Sequence, residues 1–261
     1  YNIGICEPTI VNMAAGLRKV GLTPVVHTIA PFITERSYEQ IKLDFGYQEL
    51  GVNIISVGGS FDYSQLGCSH HCYTDISLFS HLASSEIYMP GSAVEFSRLF
   101  EENYKNGKIN YFRLSENNHG INIDPLKITS GKGIKVTDGR DVTVAVLGSQ
   151  LKNAYAAAQI LRSEGIGMEV LYFPCVKPLD QNLILESVKK TKRLITLEEL
   201  SRHGGLYHMS LEAIQGIFDV KVHQMAINDF VRGYGTYEEL CQDCNLDATS
   251  LIQSAIHLVK G

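Results

Sequence analysis

Short apolar runs alternate with segments of helical periodicity along most of the chain. Apolar residues three or four positions apart predict a helix that begins at Pro8, a favoured first helical residue, and stops at Gly21. Continuous apolar runs predict strands that are buried on both faces. In the first half of the chain the predicted strands are residues 2–6, 25–29, 52–57, 87–89 and 109–114, and the further predicted helices are residues 33–45, a short helix capped by Asp75, and residues 93–104.

A polar stretch interrupts this alternation at residues 115–141, which are rich in glycine, asparagine and charged residues. We therefore expect two units, residues 1–125 and residues 142–261, joined by a linker at 126–141. Because strands alternate with helices in both units, the predicted fold class is α/β, with two tandem open, mostly parallel sheets covered by helices. In the second unit the predicted strands are residues 142–147, 168–173, 194–197 and 220–223, and the predicted helices are residues 150–162, 181–190, 206–217, 237–241 and 248–258.

Glu7 lies where such folds bind ligands, beyond the carboxyl end of a predicted strand. It also precedes Pro8, and a carboxylate at the start of a helix often serves only as a partner of the helix dipole. The alternative is a partly buried carboxylate that shares a proton with a ligand. The sequence leaves both interpretations open.

The polar loop at residues 58–74 contains two cysteines and two histidines within Cys68–Cys72. Together with Cys241 and Cys244, these side chains could supply a tetrahedral zinc site. The two halves of that site fall in different predicted units, so ordinary thiols at Cys241 and Cys244 are the preferred interpretation. The adjacent histidines could instead hold sugar hydroxyls or relay protons, or one could be buried while the other faces solvent.

Composition and charge exclude several classes of protein. With 23 Lys and Arg against 28 Asp and Glu, the formal net charge is −5, and no long basic run could bind nucleic-acid phosphates. No apolar run reaches the roughly 20 residues of a membrane helix, so no membrane partner is expected. The six cysteines have no export signal beside them, and we expect reduced thiols and a cytoplasmic location. The chain starts at Tyr1 and runs directly into a strand-like segment, so we expect an incomplete N-terminus.

Five blocks of sequence carry a family resemblance, in this order: Asn2–Pro8 with Ala14–Leu17, Pro24–Phe32 with Arg36 and Tyr38–Ile41, Gly67–His71 with Asp75, Gly148 and Ser149 with Pro174–Asp180, and Glu198 and Glu199 with Gly204–Leu206. These blocks resemble signatures of the transketolase family. Their order and spacing agree with the family over essentially the whole chain. The sequence is similar to the C-terminal half of a split transketolase, a pyrimidine-binding domain followed by a transketolase C-terminal domain.

This resemblance implies thiamine diphosphate as the cofactor. Family members hold Mg²⁺ and the diphosphate through a Gly-Asp-Gly motif, which this sequence lacks. It therefore implies a separate N-terminal transketolase-like subunit that carries the motif and holds Mg²⁺, in an α2β2 heterotetramer acting on sugars or sugar phosphates. The expected activity is the transfer of a two-carbon ketol unit.

The resemblance also implies roles for single residues. Glu7 matches the catalytic glutamate that bonds a nitrogen of the pyrimidine ring, and Phe32 matches an aromatic ring that stacks on the pyrimidine. His70 matches a histidine that contacts the hydroxyls of the donor and takes part in catalysis, with His71 beside it. Arg113 falls near an arginine that meets an acceptor phosphate. No residue of this chain is expected to ligate a metal.

Four positions depart from the family pattern. Ile29 replaces an aromatic residue of the pyrimidine pocket, and Leu66 replaces an aspartate that reads a donor hydroxyl. Gly58 and Gly59 stand where members have a phosphate-binding histidine or arginine. We therefore expect an altered donor or acceptor. The alternatives are a decarboxylating relative with a 2-oxo acid donor, such as deoxyxylulose-phosphate synthase or a 2-oxoacid dehydrogenase, and a non-catalytic zinc or redox module.

Overall fold

The computed structural model of the protein describes every residue from Tyr1 to Gly261. Ten strands form two five-stranded sheets. The strands are β1 (Val25–Ile29), β2 (Val52–Val57), β3 (Ser85–Tyr88), β4 (Ile109–Arg113), β5 (Ile134–Thr137), β6 (Val142–Val146), β7 (Met168–Tyr172), β8 (Cys175–Lys177), β9 (Arg193–Ser201) and β10 (Lys221–Ile227).

Ten α-helices flank these strands, two of them, α2 and α3, being single turns. They are α1 (Glu7–Lys19), α2 (Ala30–Ile33), α3 (Tyr38–Gln40), α4 (Asp75–Ser80), α5 (Ala93–Asn103), α6 (Leu151–Ser163), α7 (Gln181–Thr191), α8 (Leu206–Ala213), α9 (Tyr237–Asp243) and α10 (Ala248–Lys260). A π-helix covers Ile41–Tyr47, and short 3₁₀ turns cover Pro125–Lys127 and Gly148–Gln150. None of the helices combines the length and the apolar character that crossing a membrane requires.

Both sheets are parallel except at one edge. The first sheet has the order β1-β2-β4-β3-β8, and only β8 runs antiparallel to its neighbour. The second has the order β10-β9-β6-β7-β5, and only β5 runs antiparallel. The predicted fold class, α/β with two mostly parallel sheets, is confirmed.

The two halves of the chain are interlocked. Strand β8 comes from the second half but completes the edge of the first sheet by pairing with β3. Both large apolar clusters also combine the two halves, since one contains Phe112 and Val144 and the other contains Ile54 and Leu171. Three residues are too few to show a periodicity, so the hydrophobic pattern did not predict β8.

The segment expected as a linker, residues 126–141, contains β5. In β5, Ile134 is buried and lies opposite Tyr172 of β7. Polar turns flank this four-residue strand, which is why composition alone favoured an unstructured connection. The strand makes the segment part of the second sheet.

The strand predicted at residues 2–6 is wrong. Gly4 has a φ of 81°, which interrupts an extended backbone, and Ile5 is 91% exposed. Neither sheet has a strand that pairs with this segment. Its apolar residues therefore have no sheet in which to be buried.

The single helix predicted at residues 33–45 is also wrong, because α2, α3 and the π-helix replace it. The hydroxyl groups of Thr34 and Ser37 donate hydrogen bonds to carbonyls of the preceding turn. Such local bonds compete with helical hydrogen bonding. The chain consequently turns between α2 and α3, and this turn carries Arg36.

A buried carboxylate ties the two halves together. Glu95 Oε2 accepts hydrogen bonds from the Tyr172 hydroxyl at 2.6 Å and from the Gly91 amide at 2.7 Å. Glu95 Oε1 lies 2.7 Å from His119 Nε2, which carries the proton because His119 Nδ1 accepts from the Ile121 amide. Tyr172 is the only one of these residues in the second half, so its hydroxyl joins that half to the network.

We predict that Tyr172→Phe lowers the free energy of unfolding by about 1–3 kcal/mol, because a buried charged acceptor loses one donor. Urea unfolding monitored by circular dichroism measures the change. Tyr47→Phe is the matched control, since Tyr47 is 85% exposed and should tolerate the substitution. Equal stabilities for the two variants would contradict the prediction.

Candidate active site

Glu7 is the first residue of α1 and is only 4% exposed. Its Oε2 accepts a hydrogen bond from Arg36 Nη1 at 3.1 Å, and no group of this chain donates to its Oε1. A buried carboxylate is stable only if it is paired and hydrogen-bonded. Glu7 thus has one oxygen held by the protein and one available to a ligand.

Phe32 and His70 extend from Glu7 as a continuous row of contacts. The Arg36 guanidinium carbon lies 4.2 Å from the centre of the Phe32 ring. The other contact of Phe32 is the His70 ring, whose centre is 5.3 Å away in an edge-to-face arrangement. His70 Nδ1 lies 3.0 Å from Ser69 Oγ. The structure therefore brings Glu7, Phe32 and His70 into one region, linked through Arg36.

Ile29 ends β1 and forms the corner into α2. It pairs with Val57 across the parallel ladder and is half-buried. Pro31 fixes the first turn of α2, so Phe32 follows directly after the strand end. This places both Ile29 and Phe32 at the carboxyl edge of the first sheet, where open α/β folds bind ligands.

The loop that carries His70 is closed at its base by backbone pairing. Ser60 and Cys72 exchange hydrogen bonds of 2.6 Å and 2.7 Å between their backbone groups. The Ser60 hydroxyl donates to the Glu199 carbonyl, which belongs to the second sheet. The loop is therefore anchored to both halves of the protein.

Arg113 lies beneath this loop rather than in a solvent-facing pocket. It is 5% exposed, and its Nε donates to Asp75 Oδ2 at 2.9 Å. Its Nη2 donates to Ser60 Oγ at 2.6 Å and to the Cys72 carbonyl at 3.2 Å. These hydrogen bonds engage Nε and Nη2 of the buried guanidinium within the chain, and the expected contact of Arg113 with an acceptor phosphate stays a prediction.

The departures at Gly58 and Gly59 have a structural reason. A Cβ atom at Gly59 would collide with Arg113 Nε, and a Cβ atom at Gly58 would collide with the Tyr63 ring. Gly58 also has a φ of 74°, which favours glycine. The space that a histidine or arginine would need is thus filled by Arg113 and Tyr63.

Asp75 does not cap α4 as predicted, because Thr74 holds the N-cap position. The fully buried Asp75 Oδ2 instead accepts from the Tyr111 hydroxyl at 2.6 Å and from Arg113. The sequence indicated Asp75 as a helix cap and as part of a family-resemblance block, but not as the partner of Arg113 or Tyr111. Its partners come from a distant strand, so no local spacing could indicate them.

His71 points inward and is 3% exposed. Both ring nitrogens lack a hydrogen-bond partner, although the backbone of Tyr63 and Ser64 lies close. Burial lowers the pKa of His71, which keeps the imidazole neutral. The two unpaired nitrogens of this buried ring can form hydrogen bonds with a ligand or with water. Of the two histidines, His70 is the one that contacts Phe32.

The carboxylate of the loop, Asp62, is held in an unusual environment. Burial, and then the charge of Glu199, raises the pKa of Asp62 to about 6. Ser115 Oγ and Asn117 Nδ2 donate hydrogen bonds to Asp62 Oδ1 at 2.7 Å and 2.9 Å. Asp62 therefore links the loop to the segment after β4.

The positions of Cys68–Cys72, Cys241 and Cys244 do not support the alternative of a zinc or redox module. No group of three or more His, Cys, Asp and Glu side chains is arranged to hold a metal ion. Cys68 is exposed whereas Cys72 is buried, and all six cysteines are free thiols. Cys241 lies in α9 and Cys244 at its end, where Cys241 Sγ accepts from a glutamine amide.

Arg36 is the residue of this site that sequence reasoning missed. A spacing of four residues from Phe32 indicates a contact only within a continuous helix, whereas Arg36 lies in the turn between α2 and α3. Its contact with Glu7 could not be found in this way, since α1 is distant in the sequence.

Both halves of the chain match known domains. Residues 1–120 match the family model described as "Transketolase, pyrimidine binding domain", and residues 131–251 match "Transketolase, C-terminal domain". The two sheets and the buried carboxylate beside an aromatic face thus define an α/β protein of the pyrimidine-binding class. The chain belongs to the transketolase family.

Several curated proteins resemble the chain. An apulose-4-phosphate transketolase subunit of Phocaeicola vulgatus is 31% identical, covering 98% of this chain and 83% of the relative. The 6-deoxy-6-sulfo-D-fructose transketolase subunit SqwH of a Clostridium species is 27% identical, covering 97% and 79%. The 1-deoxy-D-xylulose-5-phosphate synthase of Halothermothrix orenii is 29% identical, but the match covers 99% of this chain and 41% of that enzyme.

Solved structures give the same result. One described as "Split gene transketolase, inactive beta4 tetramer" has a TM-score of 0.90 and 28% identity, covering all of this chain and 84% of that chain. A transketolase variant from Pichia stipitis has a TM-score of 0.79 at 15% identity, covering 97% of this chain and 37% of that one, which is a likeness of fold. This chain spans 79–84% of the length of the two transketolase subunits and of the split-gene transketolase chain.

We predict that Asp75→Ala lowers the free energy of unfolding by about 3–5 kcal/mol, because Arg113 is left buried and unpaired. Chemical denaturation measures the change. The control is Glu238→Ala, because Lys152 and Glu238 form a pair 3.9 Å apart with both side chains 64% exposed. Loss of an exposed pair costs at most about 1 kcal/mol, and a loss that small for Asp75→Ala would refute the role of the buried pair.

We predict that Asp62 makes the folded state less stable as pH rises. Its raised pKa means that folding favours the neutral acid, a contribution that is complete below about pH 4 and lost as pH rises through about 6. As pH rises from about 4 to 7, the free energy of unfolding should therefore fall less for Asp62→Asn than for the wild type. Glu101→Gln, on an exposed part of α5, should keep the wild-type profile, and identical profiles for all three proteins would contradict the prediction.

Proposed function

We propose that this chain is a subunit of a thiamine-diphosphate-dependent transketolase that moves a two-carbon ketol unit between sugars. One observation carries the proposal. The buried Glu7 carboxylate and the Phe32 face lie together at the ligand-binding edge of a pyrimidine-binding domain. The relatives named as transketolase subunits, which this chain matches over most of their length, support the same reaction class.

The residues of the site fit an aminopyrimidine ring. Such a ring needs a carboxylate for its ring nitrogen, a flat apolar face and protection from water. Glu7 is buried as a residue and its Oε1 accepts no hydrogen bond from this chain, so Oε1 would hold the ring nitrogen. Phe32 would stack on the ring, and the aliphatic Ile29 would close the pocket at the end of β1.

When bound, thiamine diphosphate supplies the carbon nucleophile that takes up and releases the two-carbon unit. The residues of this chain bind, orient and exclude water around it. Glu7 Oε1 would share a proton with the ring nitrogen, in a charge-assisted hydrogen bond that burial of the residue would strengthen. His70 Nε2 has no partner within the chain and would donate to or accept from a donor hydroxyl.

We propose that a separate subunit holds the diphosphate and Mg²⁺. The absence of a metal-binding cluster among the side chains of this chain supports this division, as does the lack of a Gly-Asp-Gly motif. The similar structure described as a split-gene transketolase tetramer supports a multi-chain assembly, and an α2β2 heterotetramer is the proposed form. The six free thiols agree with the proposed cytoplasmic location.

The proposed substrates are sugars or sugar phosphates with a ketose as donor. Leu66 is 53% exposed in the loop that carries His70 and offers no hydrogen bond to a donor hydroxyl. Gly58 and Gly59 offer no charge, and Arg113 is engaged internally. We therefore propose that this chain recognises the donor mainly through His70 and His71 and leaves any phosphate group to the partner subunit.

A decarboxylating reaction with a 2-oxo acid donor is the second candidate. The match to 1-deoxy-D-xylulose-5-phosphate synthase favours it, and Leu66 would suit a donor with fewer hydroxyls. Carbon dioxide release from pyruvate by the assembled complex would support this candidate over ketol transfer between sugars.

We predict that Glu7→Gln lowers kcat of the two-chain complex by at least about 100-fold, because an amide cannot share the proton at the ring nitrogen. The assay couples a ketose donor to an aldose acceptor, and bound thiamine diphosphate is quantified in the same preparation. Glu39→Gln, at an exposed position near the site, is the control and should retain activity. Glu7→Gln turnover within a few-fold of wild type, with an intact melting curve, would falsify the assignment.

A further inference from the structure

Arg36 contacts both groups that the proposed site offers to a pyrimidine ring. Its guanidinium lies 4.2 Å from the centre of Phe32, within the range of a cation–π contact. The same side chain donates from Nη1 to Glu7 Oε2 at 3.1 Å. A guanidinium is planar, carries hydrogen-bond donors at its edge and stacks on aromatic faces, which are also the properties of an aminopyrimidine.

The Arg36 side chain is exposed enough to move away from Glu7 and Phe32. Arg36 is 48% exposed, whereas Glu7 beneath it is 5% exposed at the side chain. It stands in the turn between α2 and α3, where the Arg36 amide donates to the Pro31 carbonyl and Ser37 is tied to Phe32. The backbone is thereby fixed while the long side chain keeps its rotamer freedom.

The ion pair between Arg36 and Glu7 compensates a buried negative charge when no cofactor is bound. A buried carboxylate with no partner would cost several kcal/mol or would force the surroundings to open. Arg36 is the only cation that pairs with Glu7 in this chain. It compensates the charge and at the same time covers the apolar face of Phe32.

We propose that Arg36 is a placeholder that occupies the position of the pyrimidine ring until the cofactor binds. The inference rests on the proposed function and adds a competing group to its cofactor site. Binding of the cofactor then requires Arg36 to release the Phe32 face and to move out into solvent. The measured affinity for cofactor is reduced by the fraction of molecules in which Arg36 covers the site.

The test is calorimetric titration of thiamine diphosphate, with Mg²⁺ in excess, into the two-chain complex purified without cofactor. Arg36→Met should bind thiamine diphosphate about three- to tenfold more tightly than the wild type, because the competing state is lost. Arg36→Lys keeps the charge but not the planar stack and should fall between the two. Arg98→Met, an exposed arginine of α5 with no side-chain partner, should bind like the wild type.

A second readout needs no cofactor. Arg36→Met should lower the melting temperature of the cofactor-free protein, and most of this loss should vanish in the Glu7→Gln background, where no charge remains to be compensated. A merely structural arginine would lower the melting temperature equally in both backgrounds, which would overturn the proposal.

Weaker or unchanged cofactor binding by Arg36→Met would also overturn it. Weaker binding would mean that Arg36 stays on Glu7 in the loaded enzyme and orients the carboxylate. A wild-type complex that binds no thiamine diphosphate at all would instead refute the proposed function, and the melting experiment would still decide whether Arg36 compensates Glu7.

Discussion

The buried ion pair between Arg113 and Asp75 is the constraint on which the arrangement of the site depends. It lies where strand β4, helix α4 and both ends of the 58–74 loop meet. Burying two charges is favourable only if their remaining hydrogen bonds are satisfied. Ser60 and Cys72 accept hydrogen bonds from Arg113 Nη2, and the Tyr111 hydroxyl donates to Asp75 Oδ2, so these contacts hold the loop base in one geometry. Asp75 Oδ1 and Arg113 Nη1 have no partner within the chain. The loop that carries His70 and His71 therefore has a fixed base, and His70 also contacts Phe32 and Ser69.

Glu7 and Phe32 are held differently from the Arg113–Asp75 pair. Their partners come from a flexible side chain instead of a rigid network, since only Arg36 reaches both. A site built to receive a ring and a proton has to keep part of its polar surface unsatisfied by permanent neighbours. The loop base around Arg113 and Asp75 is thus held by a hydrogen-bonded network. The Arg36 side chain is the contact that a ligand at Glu7 and Phe32 would replace.

The sequence predicted most strands and helices because parallel strands buried on both faces give continuous apolar runs. It failed where the pattern was short or ambiguous: residues 175–177 show no periodicity, and residues 2–6 look apolar but have no neighbouring strand. Glu7, Phe32 and His70 came from the family resemblance, and the structure brings them together. The hydrogen bonds of Arg113 within the chain were not predicted, because a sequence gives the type of a side chain but not its partner, and Asp75 had looked like a helix cap. Arg36 escaped notice because the turn that aims it depends on hydroxyl groups that interrupt a helix-like pattern.

Strand β8 belongs to the second half of the chain but pairs in the first sheet, and this determines what happens if the chain is cut between the halves. Its three residues lie beyond the connection between the halves, yet they form the outer strand of the first sheet. A fragment ending after β4 would expose the hydrogen-bonding groups of β3, an unprotected edge that invites association with other chains. The second half, cut free, would carry an unpaired strand of its own. The two domains that the family matches delimit therefore share a sheet, and cutting the chain between them would leave strand hydrogen-bonding groups unpaired in both pieces.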